Sequence, residues 1–279
     1  MLSQYCTVSS TVAAAKAHVL EISPSASTAL VESVSALVEK LFEGRHPAYQ
    51  KADMKYHTLE HTLLATQCFI DLAEGRVRHG AKPVFTAREF SLGYAAILLH
   101  DSGYLKMRDD LSGTGAKYTS SHVFRSCALA AASLPELGCT LSEIDGVLNA
   151  IRCTGVNSQI SQIEFRNDYE RQAGFMVATA DYLGQMADPD YPSKLPGLFE
   201  EFEESANFSR VPFESRLFRS AQELMAKTTA FWNNFALPKL EKDYAGIYRM
   251  LGQADGSNPY LDAVEANLAR IEEMAKRPV

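Results

Sequence analysis

The sequence predicts an all-α fold, on three observations. Apolar residues recur at helical spacing along most of the chain, capping signals stand before several of these runs, and neither period-2 alternation of β-branched residues nor an Asn-Gly or Asp-Gly turn is found. With 279 residues, 46% of them hydrophobic and 22% charged, the chain has the composition of a globular protein able to bury a core.

The first stripe is Leu30, Val34, Leu37, Val38, Leu41 and Phe42, which share one helix face that Gly44 can end. A second helix is expected over 56–74. Thr86-Ala-Arg-Glu89 and Thr140-Leu-Ser-Glu143 have the spacing of capping boxes, in which a threonine and a glutamate satisfy each other's orphan backbone donors, and they open helices over 87–100 and 141–152. The remaining helical windows are 121–134, 168–187, 194–208, 213–236 and 259–276. Gly, Pro and Ser gather between them, at 102–120, 188–193 and 252–258, where loops are expected. No fixed repeat is present, and the only biased tract is a short Ser/Ala-rich start.

All seven histidines precede residue 123, and Asp188-Pro-Asp-Tyr-Pro192 breaks the chain between helices. These features divide it into a core of residues 1–187, which carries the chemistry and includes the N-terminal helices, and a C-terminal helical extension of 188–279 packed on that core.

With 34 acidic and 27 basic residues the net charge is −7, which argues against a general nucleic-acid or anionic-membrane binder. No run of about 18 apolar residues offers a membrane span, and the start lacks the apolar centre of a signal peptide, so a cytoplasmic protein is expected. The five cysteines are odd in number and widely spaced, which reads as buried thiols and not as a disulfide framework or metal site. An exposed apolar seam among the C-terminal helices could support a homodimer. Phe231, Trp232 and Phe235 with Leu217, Leu224 and Met225 read as core or an inter-helix contact, and Glu200-Glu-Phe-Glu-Glu204 as a solvated acidic face.

Four places could carry chemistry. In Tyr56-His-Thr-Leu-Glu-His61, His57 and His61 stand four apart, one helical turn, so two imidazoles can converge. His100-Asp101 ends the apolar run Ala95-Ala-Ile-Leu-Leu, where a carboxylate is costly unless a cation, an arginine or a helix N-terminus neutralises it. His122 stands near the start of the next helix. Asp181 lies among the apolar residues of Met176-Val-Ala-Thr-Ala and needs a partner, with Arg152, Arg166 and Arg171 as candidates. Lys106, Arg108, Lys117 and Arg125 are cations near these groups in sequence, and Lys106 and Arg125 are the candidates to grip a substrate phosphate. Gly113-Thr-Gly-Ala-Lys117 lacks the Gly-Lys-Ser/Thr step of a phosphate loop and reads as a lid or linker.

In their order, YHTLEHT, ILLHDSGY, His122 and ATADYLGQ resemble the HD-domain superfamily of metal-dependent phosphohydrolases over about residues 50–190. The resemblance implies a helical bundle that holds at least one divalent transition ion through His61, His100, Asp101 and Asp181. It makes His57 the donor of a proton to the leaving oxygen. It gives His122 a catalytic place, as a contact to phosphate or a ligand to a second ion. The activity implied is hydrolysis of a small phosphate ester such as a nucleotide, by activated water. Mixed imidazole and carboxylate ligands suit Mn, Fe, Co, Ni or Zn, and Mg less.

The departures from the family are informative. The lysine and GYP signature of the HD-GYP subfamily are missing, since Tyr104 follows Gly103, and the pattern of guanosine tetraphosphate hydrolases is absent. Where dinuclear members add a histidine, this chain reads Ile151-Arg-Cys-Thr154. The rival readings are a sensor module that binds metal and ligand without turnover, and a diiron oxygenase of the HD fold, which the missing histidine disfavours.

Overall fold

The computed structural model describes residues 6–276. In chain order the helices are α1 (Val8–Ile22), α2 (Ala29–Phe42), α3 (Leu59–Arg78), α4 (Ala87–Leu99), α5 (His122–Ser133), α6 (Leu141–Arg152), α7 (Asp168–Met186), α8 (Tyr191–Phe208), α9 (Ala221–Phe231), α10 (Leu237–Lys242) and α11 (Pro259–Ala275). Among the described residues there is no strand, only an isolated bridge between Tyr49 and Met107. The all-α expectation holds.

Both expected capping boxes form: Thr86 with Glu89 opens α4 and Thr140 with Glu143 opens α6. The expected stripe of α2 is buried, with Leu37 half-buried. The sequence reading missed α1, because its buried face is Thr11, Ala15, His18 and Val19, too small and polar to register as an apolar stripe.

Other boundaries also move. α3 runs over Leu59–Arg78 instead of the expected 56–74, because the Thr58 hydroxyl caps its start. α8 begins at Tyr191, three residues before the expected start, because Pro192 sits in its first turn, where a missing N–H costs nothing. α9 begins only at Ala221, where Ser220 accepts the backbone N–H of Glu223, and Leu217, expected in the core or in an inter-helix contact, is 73% exposed. At its far end the helix continues through a π turn at Trp232–Ala236 into α10 and past Pro238; the wider turn accommodates a proline that has no N–H to donate.

α3, α4 and α7 form the centre. α1 and α2 cover one side of it, α5 and α6 another, and α8, α9 and α11 close the rest. The C-terminal helices are joined to the centre by buried polar contacts: the Tyr260 hydroxyl donates to Asp71 at 2.6 Å, and the Asn267 amide donates to the Met186 carbonyl at 2.9 Å. Cys68, Cys139 and Cys153 are buried free thiols, as expected, and Cys127 is half-buried. No helix among the described residues is long and apolar enough to cross a membrane.

Candidate metal centre

Three helices bring the ligand candidates together. His61 stands in the first turn of α3, after Thr58, whose hydroxyl accepts the His61 N–H. His100 and Asp101 follow the end of α4, and Asp181 lies in the middle of α7. The crossing of α3 and α7 is close enough that a Cβ added at Gly184 would stand 2.6 Å from the Ala65 Cα. Glycine at 184 therefore lets the Asp181 helix approach the His61 helix.

The four side chains meet. His61 Nε2 lies 3.1 Å and His100 Nε2 3.2 Å from Asp101 Oδ2, and the same two nitrogens lie 3.6 and 3.4 Å from Asp181 Oδ1. None of the arginines considered for Asp181 reaches it: Arg166 pairs with Glu170, Arg171 with Asp168, and Arg152 donates to Asn149.

His61 Nε2, His100 Nε2 and Asp101 Oδ2 are buried without a hydrogen-bond partner, although a buried polar atom without one is costly. His100 Nδ1 donates to the Ile97 carbonyl at 2.6 Å, so in the neutral ring Nε2 presents a lone pair to the carboxylates. Lone pairs facing carboxylate oxygens require positive charge between them. His61, His100 and Asp101 can hold a metal ion, and Asp181 adds a second carboxylate within reach.

Protons are the other source of that charge. Burial alone would raise the Asp101 and Asp181 carboxyls, yet the facing imidazoles hold both well below the usual carboxylate range. Burial likewise works against charge on His61 and His100, but the two carboxylates outweigh it, raising His100 strongly and His61 to about 9. An ion bound here displaces these protons, as ligand imidazoles must be neutral.

Beside this cluster stands a second group. His57 lies before the Thr58 cap and not on the helix, so helical spacing is not what brings it to His61; their ring centres are nonetheless 5.4 Å apart. Its Nδ1 is hydrogen-bonded to Glu201 of α8, whose Oε1 also accepts the backbone N–H of Tyr56 at 2.5 Å. Burial raises the Glu201 carboxyl, but the His57 charge and these bonds keep it below the usual value. Glu201, expected on a solvated face, is 3% exposed.

Tyr104 completes the group. His57 and His122 both lie nearly parallel to its ring, at 4.3 and 4.6 Å, with their own centres 6.3 Å apart. His122 Nδ1 donates to the Thr119 carbonyl at 2.6 Å and its Nε2 stands 3.6 Å from Asp101 Oδ1. Burial lowers its affinity for a proton. Gly103 makes this approach possible, since a Cβ there would lie 1.9 Å from the His122 carbonyl oxygen.

The cations are engaged elsewhere. Lys106 donates to the Gly113 carbonyl at 2.6 Å and pairs with Asp53 at 2.9 Å. Arg125 donates to the carbonyls of Gly103 and Leu105 and lies over the Tyr118 ring at 3.6 Å. Arg108 binds the carbonyls of Gly44, His46 and Pro47, and Lys117 pairs with Asp110. These contacts tie down the 102–120 segment, which contains 3₁₀ turns at Ser102–Tyr104 and Gly115–Tyr118, and Glu204 of α8 fastens it further through Thr114.

Fold and site together define an all-α protein with a buried His/Asp cluster able to hold a metal ion. A family model described as Npun_R2479-like matches residues 47–273, and the chain belongs to that family. The match includes α8, which supplies Glu201, as well as the helices of the cluster. No curated protein and no solved structure matches the chain.

Proposed function

We propose that the protein is a metal-dependent phosphohydrolase of the HD-domain kind, which cleaves a small phosphate ester by attack of water. The observation that carries this reading is the meeting of His61, His100, Asp101 and Asp181 around buried atoms without hydrogen-bond partners. A divalent transition ion held by these residues would polarise the phosphoryl group and acidify water.

The other residues handle protons. Glu201 accepts the His57 Nδ1–H and fixes the ring, leaving Nε2 as the nitrogen that can carry the proton for the leaving oxygen. His122 has a different setting: Nδ1 is bound to a neutral carbonyl, and Nε2, 3.6 Å from Asp101 Oδ1, can accept the proton that water loses. Tyr104 stacks against both rings, so donor and acceptor keep their spacing.

Elemental analysis of the purified protein, combined with a screen of phosphomonoesters, cyclic nucleotides and nucleoside triphosphates, tests the proposal. Bound transition metal together with hydrolysis that a chelator abolishes is the expected result. A protein that purifies and reconstitutes without metal overturns the reading, and one that binds metal yet cleaves nothing is a binding module.

A further inference from the structure

Among the described residues, every ion-pair partner of the three carboxylates at the centre is an imidazole. Asp101 faces His61, His100 and His122, Asp181 faces His61 and His100, and Glu201 faces His57. No lysine or arginine joins them. The cations of the neighbouring segment are bound to Asp53, Asp110 and backbone carbonyls. Other cations are engaged as well: Lys194 of α8 with Asp188 and Glu60, Lys239 of α10 with the Ser158 carbonyl and Asp243, and Lys55, before α3, with Glu200.

This distribution bears on the charge of the substrate. Three carboxylates against one divalent ion leave the centre without net positive charge even when His57 is protonated. A phosphomonoester, dianionic above a pH of about 6, would bring two charges to such a centre with no arginine fork or lysine to receive its extra oxygens. A phosphodiester brings one.

Resting on the phosphohydrolase reading, we infer that the substrate is a monoanionic phosphodiester, not a phosphomonoester. In the reaction the oxygen of water bonds to phosphorus and the P–O bond to the leaving group breaks. His57 gives its proton to the leaving oxygen, and the proton lost by water restores His57 by way of His122 and solvent. The products are an alcohol and a phosphomonoester. The latter carries one more charge than the substrate once its second proton dissociates, and the centre that accepts the diester releases it.

The test is a matched pair, p-nitrophenyl phosphate and methyl p-nitrophenyl phosphate, which share a leaving group and differ by one charge, given at pH 8 to protein reconstituted with manganese(II). Calorimetric binding of phenylphosphonate and of its monomethyl ester to the same protein supplies a readout independent of turnover. We expect kcat/KM for the diester to exceed that for the monoester by tenfold or more, and the monoanionic phosphonate to bind at least as tightly as the dianion. A smaller or inverted ratio, or tighter binding of the dianion, overturns the inference while leaving the phosphohydrolase reading in place. If neither ester is cleaved with manganese bound, the phosphohydrolase reading fails, and calorimetry alone decides the preference for charge.

Discussion

The floor of the centre and its wall are built differently. His61, His100, Asp101 and Asp181 come from helices packed at the middle of the bundle, where a polar group is conspicuous against apolar neighbours. His57, Tyr104, His122 and Glu201 come from a segment before a helix, a 3₁₀ turn, a helix start and a peripheral helix. The floor concentrates charge that something must neutralise, and the wall sets the planes and partners of two imidazoles. The comparison teaches that, on the proposed reading, ion binding and proton transfer would be served by separate parts of the chain, so substitutions can separate them.

The largest effect is expected from Asp101→Ala, which removes the carboxylate that both buried imidazoles face. Metal content and hydrolysis should both vanish, as measured by elemental analysis and initial rates; full occupancy and turnover in this variant would make the floor a structural ion-pair network. His57→Ala should keep the metal and lose roughly 10²–10⁴-fold in rate on an ester with a poor leaving group, the usual worth of a general acid. With a p-nitrophenyl ester, whose leaving group needs little protonation, the loss should shrink. Loss of metal in this variant would instead move His57 to the floor.

Glu201→Gln should be milder, about tenfold in rate with metal retained, because the glutamine oxygen can still accept the Nδ1–H and hold the ring, but through a weaker bond than a carboxylate makes. The variant also has a stability signature. The folded-state pKa of Glu201 is depressed, so its ionised form contributes stability above pH 4.5 that is lost as pH falls through the folded value. Acid melts of the variant should therefore show a weaker fall in Tm below that pH than the parent; identical slopes would show that the carboxylate contributes nothing to the wall.

The floor has the reverse dependence when no metal is bound. The folded pKa of His61 is raised from 6.5 to about 9, so stability that is fully present below 6.5 is lost as pH rises through 9. Metal-free protein should show a falling Tm across that window, and metal-loaded protein a flat one. The smallest effect on catalysis is expected from Lys106→Met: a loss of stability with KM changed less than about twofold, since its ammonium is bound to Asp53 and Gly113. A large rise in KM would return Lys106 to the substrate.

The same contrast explains what could be read from the sequence. A carboxylate beside a histidine at the end of Ala95-Ala-Ile-Leu-Leu, and Asp181 inside an apolar helix, are anomalies of local context, and such anomalies are legible without a structure. Glu201 is no anomaly, because four of the five residues from 200 to 204 are glutamate and the run looks like surface. Its pairing with His57 spans 144 positions, which no local pattern reports. Tyr104 was visible only as a departure from another signature, and its role depends on a stacking geometry that spacing does not encode. Helices followed the same rule. Those with apolar stripes and threonine–glutamate caps were found within a few residues, whereas α1, with a buried face of small and polar residues, was missed.

The close crossing at Gly184 gives the fold a hidden vulnerability. A single methyl group there meets the backbone of Ala65 and the Leu64 carbonyl, so it can be accommodated only by moving one ligand-bearing helix from the other. If the proposed ion is held there, inherited variation at a residue with no side chain, three positions from Asp181, would be filtered as severely as variation in a ligand itself, through the length of bonds to an ion it never touches.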